Sequence, residues 1–204
     1  DLASEILISH GVPSSRGAQL ATLDDKVLAA APGAALYHPY ISEAGERGPF
    51  MEPAARAQFT GLHAGLGFYS LMRSVLEGLA LAARDCYAAM GPIPKEVRIT
   101  GGAARSKAMR SILAAVLGAD IRRVEREEAG AAGAAIIAAV QLGLYPDMAA
   151  CSKAWVDPLL GPAETPDPAL VAVYDRLFPI YRETRQALRP VWRALAGARR
   201  EAAA

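Results

Sequence analysis

The chain has 204 residues, 52% of them hydrophobic and 21% charged, with a formal net charge of +1. That length and apolar content suffice for one large domain with a substantial core, or for one large piece of a bigger protein. A charge so near neutrality gives no electrostatic reason to expect a nucleic acid or an anionic membrane as partner, and no apolar run approaches the length of a membrane span.

Residues 1–31 read as two helical segments. Leu2, Ile6 and Leu7 form a short apolar face, the run 11–15 interrupts it, and a second helix follows over Leu20 to Ala31 with Leu23, Val27 and Leu28 at helical spacing. Pro32-Gly33 ends that helix, and Leu36 to Tyr40 reads as a short strand. Residues 41–61 form a long loop mixing glycine, proline, aromatics and both charge signs. Such loops inside compact domains are often functional, an ordinary surface connection being the alternative. A long helix is predicted from Gly65 to Met90, with Phe68, Leu71, Val75, Leu79, Ala82, Cys86 and Met90 recurring every three to four residues and Gly91 as its stop. Glu77 and Arg84 lie off that stripe and read as solvated charges.

Val97 to Thr100 reads as a strand, followed by Gly101-Gly102 and a helix from Ser106 to Leu117 with Met109, Ile112, Leu113 and Val116 inward. Ile121 to Val124 reads as a second strand. The charged run through Arg122, Arg123 and Glu125 to Glu128 reads as a wet strand edge and turn. The small residues 129–135 open a helix whose alanines tight helix–sheet packing explains, with Ile136, Ile137 and Val140 continuing its buried face to Gly143. Residues 145–166 look irregular. Asp167-Pro168 supplies an N-cap acid and a proline at the first helical position. The C-terminal helix that follows runs through Leu170, Val173, Leu177, Tyr181, Leu188 and Leu195, and Pro179 and Pro190 should kink or split it. The fold class is α/β, helices covering a small sheet in one domain over residues 1–196, with 197–204 a frayed tail.

Three histidines, His10, His38 and His63, are scattered without a second ligand at metal-binding spacing, so no protein-built metal site is expected. Neither a nucleophile elbow nor a P-loop is present. The two cysteines, Cys86 and Cys151, lie far apart and outside any motif. Cys86 falls on the predicted helix's apolar side and reads as a reduced core thiol, which points to the cytoplasm. No signal peptide opens the chain, and it starts at Asp1 rather than Met, so its beginning need not be that of the gene product.

The stretch richest in chemistry is Ile99-Thr100-Gly101-Gly102-Ala103-Ala104-Arg105-Ser106. A β-branched run that stops at two glycines and restarts as a helix brings bare backbone close to a ligand, since no Cβ intervenes. The helix start adds unpaired N–H groups and the positive end of a dipole. Together these form a seat for phosphate or nucleotide. A purely structural turn is the alternative.

Three separated segments together resemble one family, the C-terminal domain of the FGGY carbohydrate kinases. Pro39-Tyr40 with Gly45-Glu46-Arg47, Pro49 and Ala55-Arg56 is similar to that family's "PY…GER…P…AR" loop. Phe59, Gly61-Leu62 and Leu71 with Ser74-Val75-Leu76-Glu77-Gly78 resemble its C-terminal signature. Thr100 to Ser106, with Glu128 to Ala135 downstream, resembles its nucleotide segment. The chain departs at Ser70, where a residue such as His, Asp or Asn is usual, and at Ser111 and Ala115, where many members carry Gln and Asp. The wording from His38 to Phe50 is similar to the erythritol and L-sugar branch.

The resemblance implies half of a two-domain, actin-like (ribonuclease H-like) ATPase fold, with the active site between the domains. It implies ATP and Mg²⁺ as cofactors, and γ-phosphate transfer to a hydroxyl of a sugar or polyol such as a pentulose or erythritol. Gly101, Gly102 and Ala103 match the turn under the nucleotide phosphates and adenosine, Ser106 a position beside the adenine, and Glu46 with Arg47 a loop near the cleft. The base aspartate and most sugar contacts belong to the family's N-terminal domain, and a Gly-Thr-Ser-like phosphate turn lies upstream of this chain's start. The chain therefore reads as a piece, inactive alone, whose partners are that missing domain and a small-molecule sugar or polyol. The long predicted helix is free to serve the core or a homodimer contact. A non-catalytic actin-like nucleotide-binding module is the alternative function.

Overall fold

The computed structural model describes residues 16–126 and 128–202. The first predicted helix, at Leu2 to Leu7, lies outside them. Helix α1 spans Arg16–Ala29, and strands β1 (Leu36–His38) and β2 (Gln58–Thr60) pair antiparallel. Helix α2 (Phe68–Met90) leads into a βαβ unit of β3 (Glu96–Ile99), α3 (Lys107–Leu117) and β4 (Asp120–Val124). β3 and β4 run parallel, in register from Glu96 opposite Asp120 to Ile99 opposite Arg123. Helices α4 (Ala129–Gln141) and α5 (Met148–Trp155) precede β5 (Leu160–Glu164), which adds antiparallel to the other edge of β4. Helix α6 (Pro168–Ala202) closes the chain.

The core is built around α3. Its inward residues Met109, Ile112, Leu113 and Val116 are buried as the pattern predicts, against Leu81 of α2, Val97 and Ile121 of the sheet, and Tyr174 and Tyr181 of α6. Each such aliphatic side chain contributes about 1.5–3 kcal/mol relative to exposure. Gly118 ends α3 in the left-handed region at φ 62°, its amide donating to Ala114 O, which a Cβ would disfavour.

Helix α2 corrects the expectation for its faces. Phe68, Leu79 and Met90, all on the predicted apolar stripe, are exposed, and the buried stripe carries Arg73, Glu77 and Asp85. Glu77 is only 2% exposed and is not a solvated charge. Arg73 Nε donates to Glu77 Oε1 at 2.8 Å, Tyr174 Oη donates to the same oxygen at 2.9 Å, and the Gly33 amide donates to Oε2 at 3.0 Å. Arg73 Nη1 also donates to the carbonyls of Leu28 and Ala30 at 2.8 and 2.7 Å, groups freed where α1 ends. The polar face is inside because its charges are paired and their remaining hydrogen-bonding capacity is used. Gly78 completes the contact: a Cβ there would run into the Tyr37 carbonyl of β1. Arg84 is likewise committed, donating to Asp175 Oδ1 at 2.7 Å with its guanidinium over Phe178.

Three further expectations are corrected. Residues 145–166 are not irregular but hold α5, capped by Asp147 Oδ1 accepting from the Ala150 amide at 2.7 Å, and β5. The alanine-rich α4 does not pack on the sheet: Gly130, Ala131, Ala134 and Ala135 are exposed, and Ile137 is 56% exposed. Its buried residues, Ile136 and Ala139, face Cys151 of α5 instead. Finally, α6 is not split at its prolines but helical from Pro168 to Ala202. Pro179 and Pro190 sit on its exposed side, while Tyr174, Tyr181 and Trp192 anchor the opposite face. Packing of that face offsets the lost backbone bonds. Leu195, expected inward, is exposed.

Candidate functional site

β3 and β4 end side by side, and chain leaves both at the same edge of the sheet. The carboxyl ends of parallel strands are where α/β folds open crevices for ligands. Gly101 turns the chain at φ +86°, a conformation that favours glycine. Gly102 has ordinary helical φ and ψ, −60° and −45°. A Cβ built on either meets nothing within 4 Å, so both backbones border open space. That space is a cleft of about 500 Å³ bounded by Gly101, Gly102 and Arg105 on one side and by Arg123, Val124 and Arg126 on the other. Gly101, Gly102 and Ala103 are all exposed.

The helix start is arranged differently from expectation. Residues Ala103–Arg105 form a single 3₁₀ turn, and α3 begins only at Lys107. Its first amides are already used. Asp24 of α1 accepts from the Lys107 amide at 2.6 Å through Oδ2 and from Ser106 Oγ at 2.7 Å through Oδ1. Ser106 Oγ in turn accepts from the Met109 amide at 3.1 Å. A buried carboxylate thus occupies the positive end of α3, where an anion is most stabilised. The amides open to a ligand are those of the glycine turn, not of the helix. Ser106 lies in the same segment as the glycines, but its hydroxyl serves as the N-cap.

Glu46 and Arg47 stand apart from the cleft. Glu46 Oε1 accepts from the Arg47 and Gly48 amides at 2.8 and 3.1 Å, folding its carboxylate onto its own loop. The Glu46 and Glu52 backbones exchange hydrogen bonds of 3.0 and 2.9 Å, which gives the loop a two-residue ladder. Glu52 fastens that ladder to α6 through Arg193, whose Nη2 lies 2.8 Å from Oε2, and the guanidinium holds the Glu52 carboxyl below its usual range. Arg47 is exposed.

Sequence reasoning missed Arg123 and Arg126, which it assigned to a wet strand edge. Both line the cleft. Strand alternation is the signal that would have found Arg123: it shares the face of β4 with the fully buried Ile121. Arg126 is held in place, with Nη2 donating to Trp155 O at 2.8 Å and its carbonyl accepting from Thr100 Oγ1 at 3.2 Å. Among the described residues, no group of three or more His, Cys, Asp or Glu side chains could hold a metal ion, and no helix is long and apolar enough to cross a membrane.

The mixed α/β fold of this chain matches the C-terminal portion of the sugar kinases, an actin-like ATPase fold. The chain belongs to the FGGY family of carbohydrate kinases, whose C-terminal domain matches residues 5–142. It is 56% identical to the erythritol kinase of Brucella abortus (strain 2308) over 195 residues, which cover 96% of this chain and 38% of that protein. Among solved structures, xylulose kinase from Rhodospirillum rubrum matches with a TM-score of 0.69 at 30% identity, covering 94% of this chain and 38% of that one. Gluconate kinase from Lactobacillus acidophilus matches with a TM-score of 0.74 at 26% identity, covering 85% and 35%. The chain therefore spans well under half the length of these relatives.

Proposed function

We propose that this chain is the nucleotide-holding part of a cytoplasmic kinase that transfers the γ-phosphate of ATP to a hydroxyl of a small polyol, with erythritol the first candidate. The 56% identity to an erythritol kinase along nearly the whole chain supports erythritol as that first candidate. The observation that carries the nucleotide reading is the cleft beside Gly101 and Gly102, polar, lined by arginines and bordered by exposed main chain.

Phosphoryl transfer asks a protein chiefly to position the phosphates and to balance their charge. The amides of Gly101 and Gly102, with that of Ala103 next in the turn, are the groups of this chain suited to hold phosphate oxygens, because no Cβ stands between the two glycines and the cleft. Ser106 and Asp24 keep the turn in place by fixing the helix behind it. Glu52 holds the loop of Glu46 and Arg47 against α6, and the loop's exposed rim is available to the remainder of the kinase. Mg²⁺ would arrive on the ATP phosphates and lower their charge. The base that accepts the hydroxyl proton, and most contacts to the polyol, fall to the rest of the enzyme.

The test uses the full-length gene product. Purified protein should phosphorylate erythritol from Mg-ATP in preference to a panel of ketoses and other polyols. Gly102→Val, which the backbone conformation tolerates but which projects into the cleft, should raise KM for ATP about tenfold or more, roughly 1.4 kcal/mol, and leave KM for the polyol unchanged. A folded Gly102→Val variant with unaltered KM for ATP would remove the nucleotide from this cleft. Nucleotide binding without transfer to any acceptor would leave a non-catalytic module.

A further inference from the structure

Charge balance on the sheet stops at the edge of the cleft. Arg98 of β3 meets Glu96 and Asp157 at 3.0 and 2.9 Å, Arg122 of β4 meets Glu96 at 3.6 Å, and Arg110 of α3 meets Glu164 at 3.8 Å. Arg105, Arg123 and Arg126 are paired with no carboxylate among the described residues, although all three line one cleft. Glu125 is the single acidic residue on that lining.

Unpaired guanidinium groups gathered around one opening repel one another and favour a multiply charged anion between them. The local structure holds them there. Arg105 is carried on the 3₁₀ turn directly after the glycines. Arg123 sits where the pairing of β4 with β5 shifts register, between Arg122 opposite Ala163 and Val124 opposite Leu160. Arg126 is fixed by its bond to the Trp155 carbonyl, and its Nε is buried with no acceptor among the described residues. A guanidinium with one edge anchored and the other unsatisfied is preorganised for an oxyanion.

We propose that Arg105, Arg123 and Arg126 form a clamp for the polyphosphate chain of the nucleotide, so that the cleft selects its ligand by number of phosphates. This rests on the nucleotide reading of the same cleft. The chemistry shared by candidate ligands is a phosphoryl oxygen cluster, which a nucleotide or a phosphorylated product would both present. The clamp assigns the nucleotide, because three cations facing one acid call for more charge than a monophosphate brings.

The experiment is calorimetric titration of the full-length protein with ATP, ADP, AMP, adenosine, inorganic tripolyphosphate and a polyol monophosphate. Affinity should rise about tenfold or more from adenosine to ATP, tripolyphosphate should compete with ATP, and added salt should weaken ATP far more than adenosine. Arg123→Gln and Arg105→Gln should each lower ATP affinity several-fold and leave adenosine unchanged, and both should unfold at the parent temperature. If both variants bind ATP like the parent while Gly102→Val does not, the clamp is wrong and the nucleotide site stands. If Gly102→Val also binds like the parent, the nucleotide reading itself fails. A monophosphate that competes as well as tripolyphosphate overturns selection by phosphate number.

Discussion

Glu77 answers three donors from three parts of the chain: Arg73 on its own helix, Tyr174 on α6 and the amide of Gly33. Deleting it leaves a buried guanidinium without its counter-ion, which costs far more than the pair contributes over an apolar substitute. Glu77→Ala should therefore destabilise the fold by about 3–5 kcal/mol in denaturant titrations. A loss below about 1 kcal/mol would mean that water reaches Arg73. His38 makes a second residue-scale prediction. Its ring is fully buried and stacked on Tyr181 at a centroid distance of 4.3 Å, Nε2–H donates to Tyr181 O at 3.0 Å, and Nδ1 has no partner among the described residues. Burial pushes its pKa down, with Arg185 adding to the effect and the Tyr181 bond opposing it. The unfolded chain then binds a proton more readily than the folded one. The stability this contributes is complete above the unfolded value, about 6.5, and is lost as pH falls below it. A plot of melting temperature against pH should slope downward toward acid more steeply than that of His38→Phe; parallel curves would exclude the residue as a source of acid sensitivity.

At the scale of elements, the junction of α1 and α3 is the piece that organises the site. Asp24 and Ser106 share one hydrogen-bond network at the start of α3. Ser106→Ala should cost about 1 kcal/mol as a lost cap. Asp24→Ala should cost more, and the double variant less than the sum, because the two side chains share partners. Strict additivity in thermal melts would show that they cap independently. The same junction shows what was legible beforehand. The turn at Gly101-Gly102 could be read because a β-branched run, two glycines and a new amphipathic pattern follow one another directly. Asp24 could not, because its partners lie 82 and 83 positions along the chain. Glu77 was misread because a charge on a helix resembles a solvated one until its partner on α6 is in place. Residues 145–166 hid α5 and β5 behind prolines and glycines that in fact mark their ends and, at Pro162, an edge strand where a missing N–H costs little.

For the whole molecule, α6 acts as a brace. Tyr174 reaches the main core, Tyr181 stacks on His38, and Trp192 packs edge-on against Tyr40 at 5.6 Å between centroids. Removing residues 188–204 should leave the core folded but expose 41–56 to limited proteolysis; an unchanged cleavage pattern would show that the loop holds itself. The α/β class was readable from the alternation of apolar patterns around Gly101-Gly102. The depth at which α6 engages was not, since its anchors are aromatic rings spread along a proline-containing helix.

Arg193 grips Glu52 across 141 positions of sequence. A chain emerging from its N-terminal side presents the GER-like loop well before Arg193, so the ladder between Glu46 and Glu52 must carry the loop alone in the interval. That corner is therefore closed late, by a partner that arrives from far along the sequence.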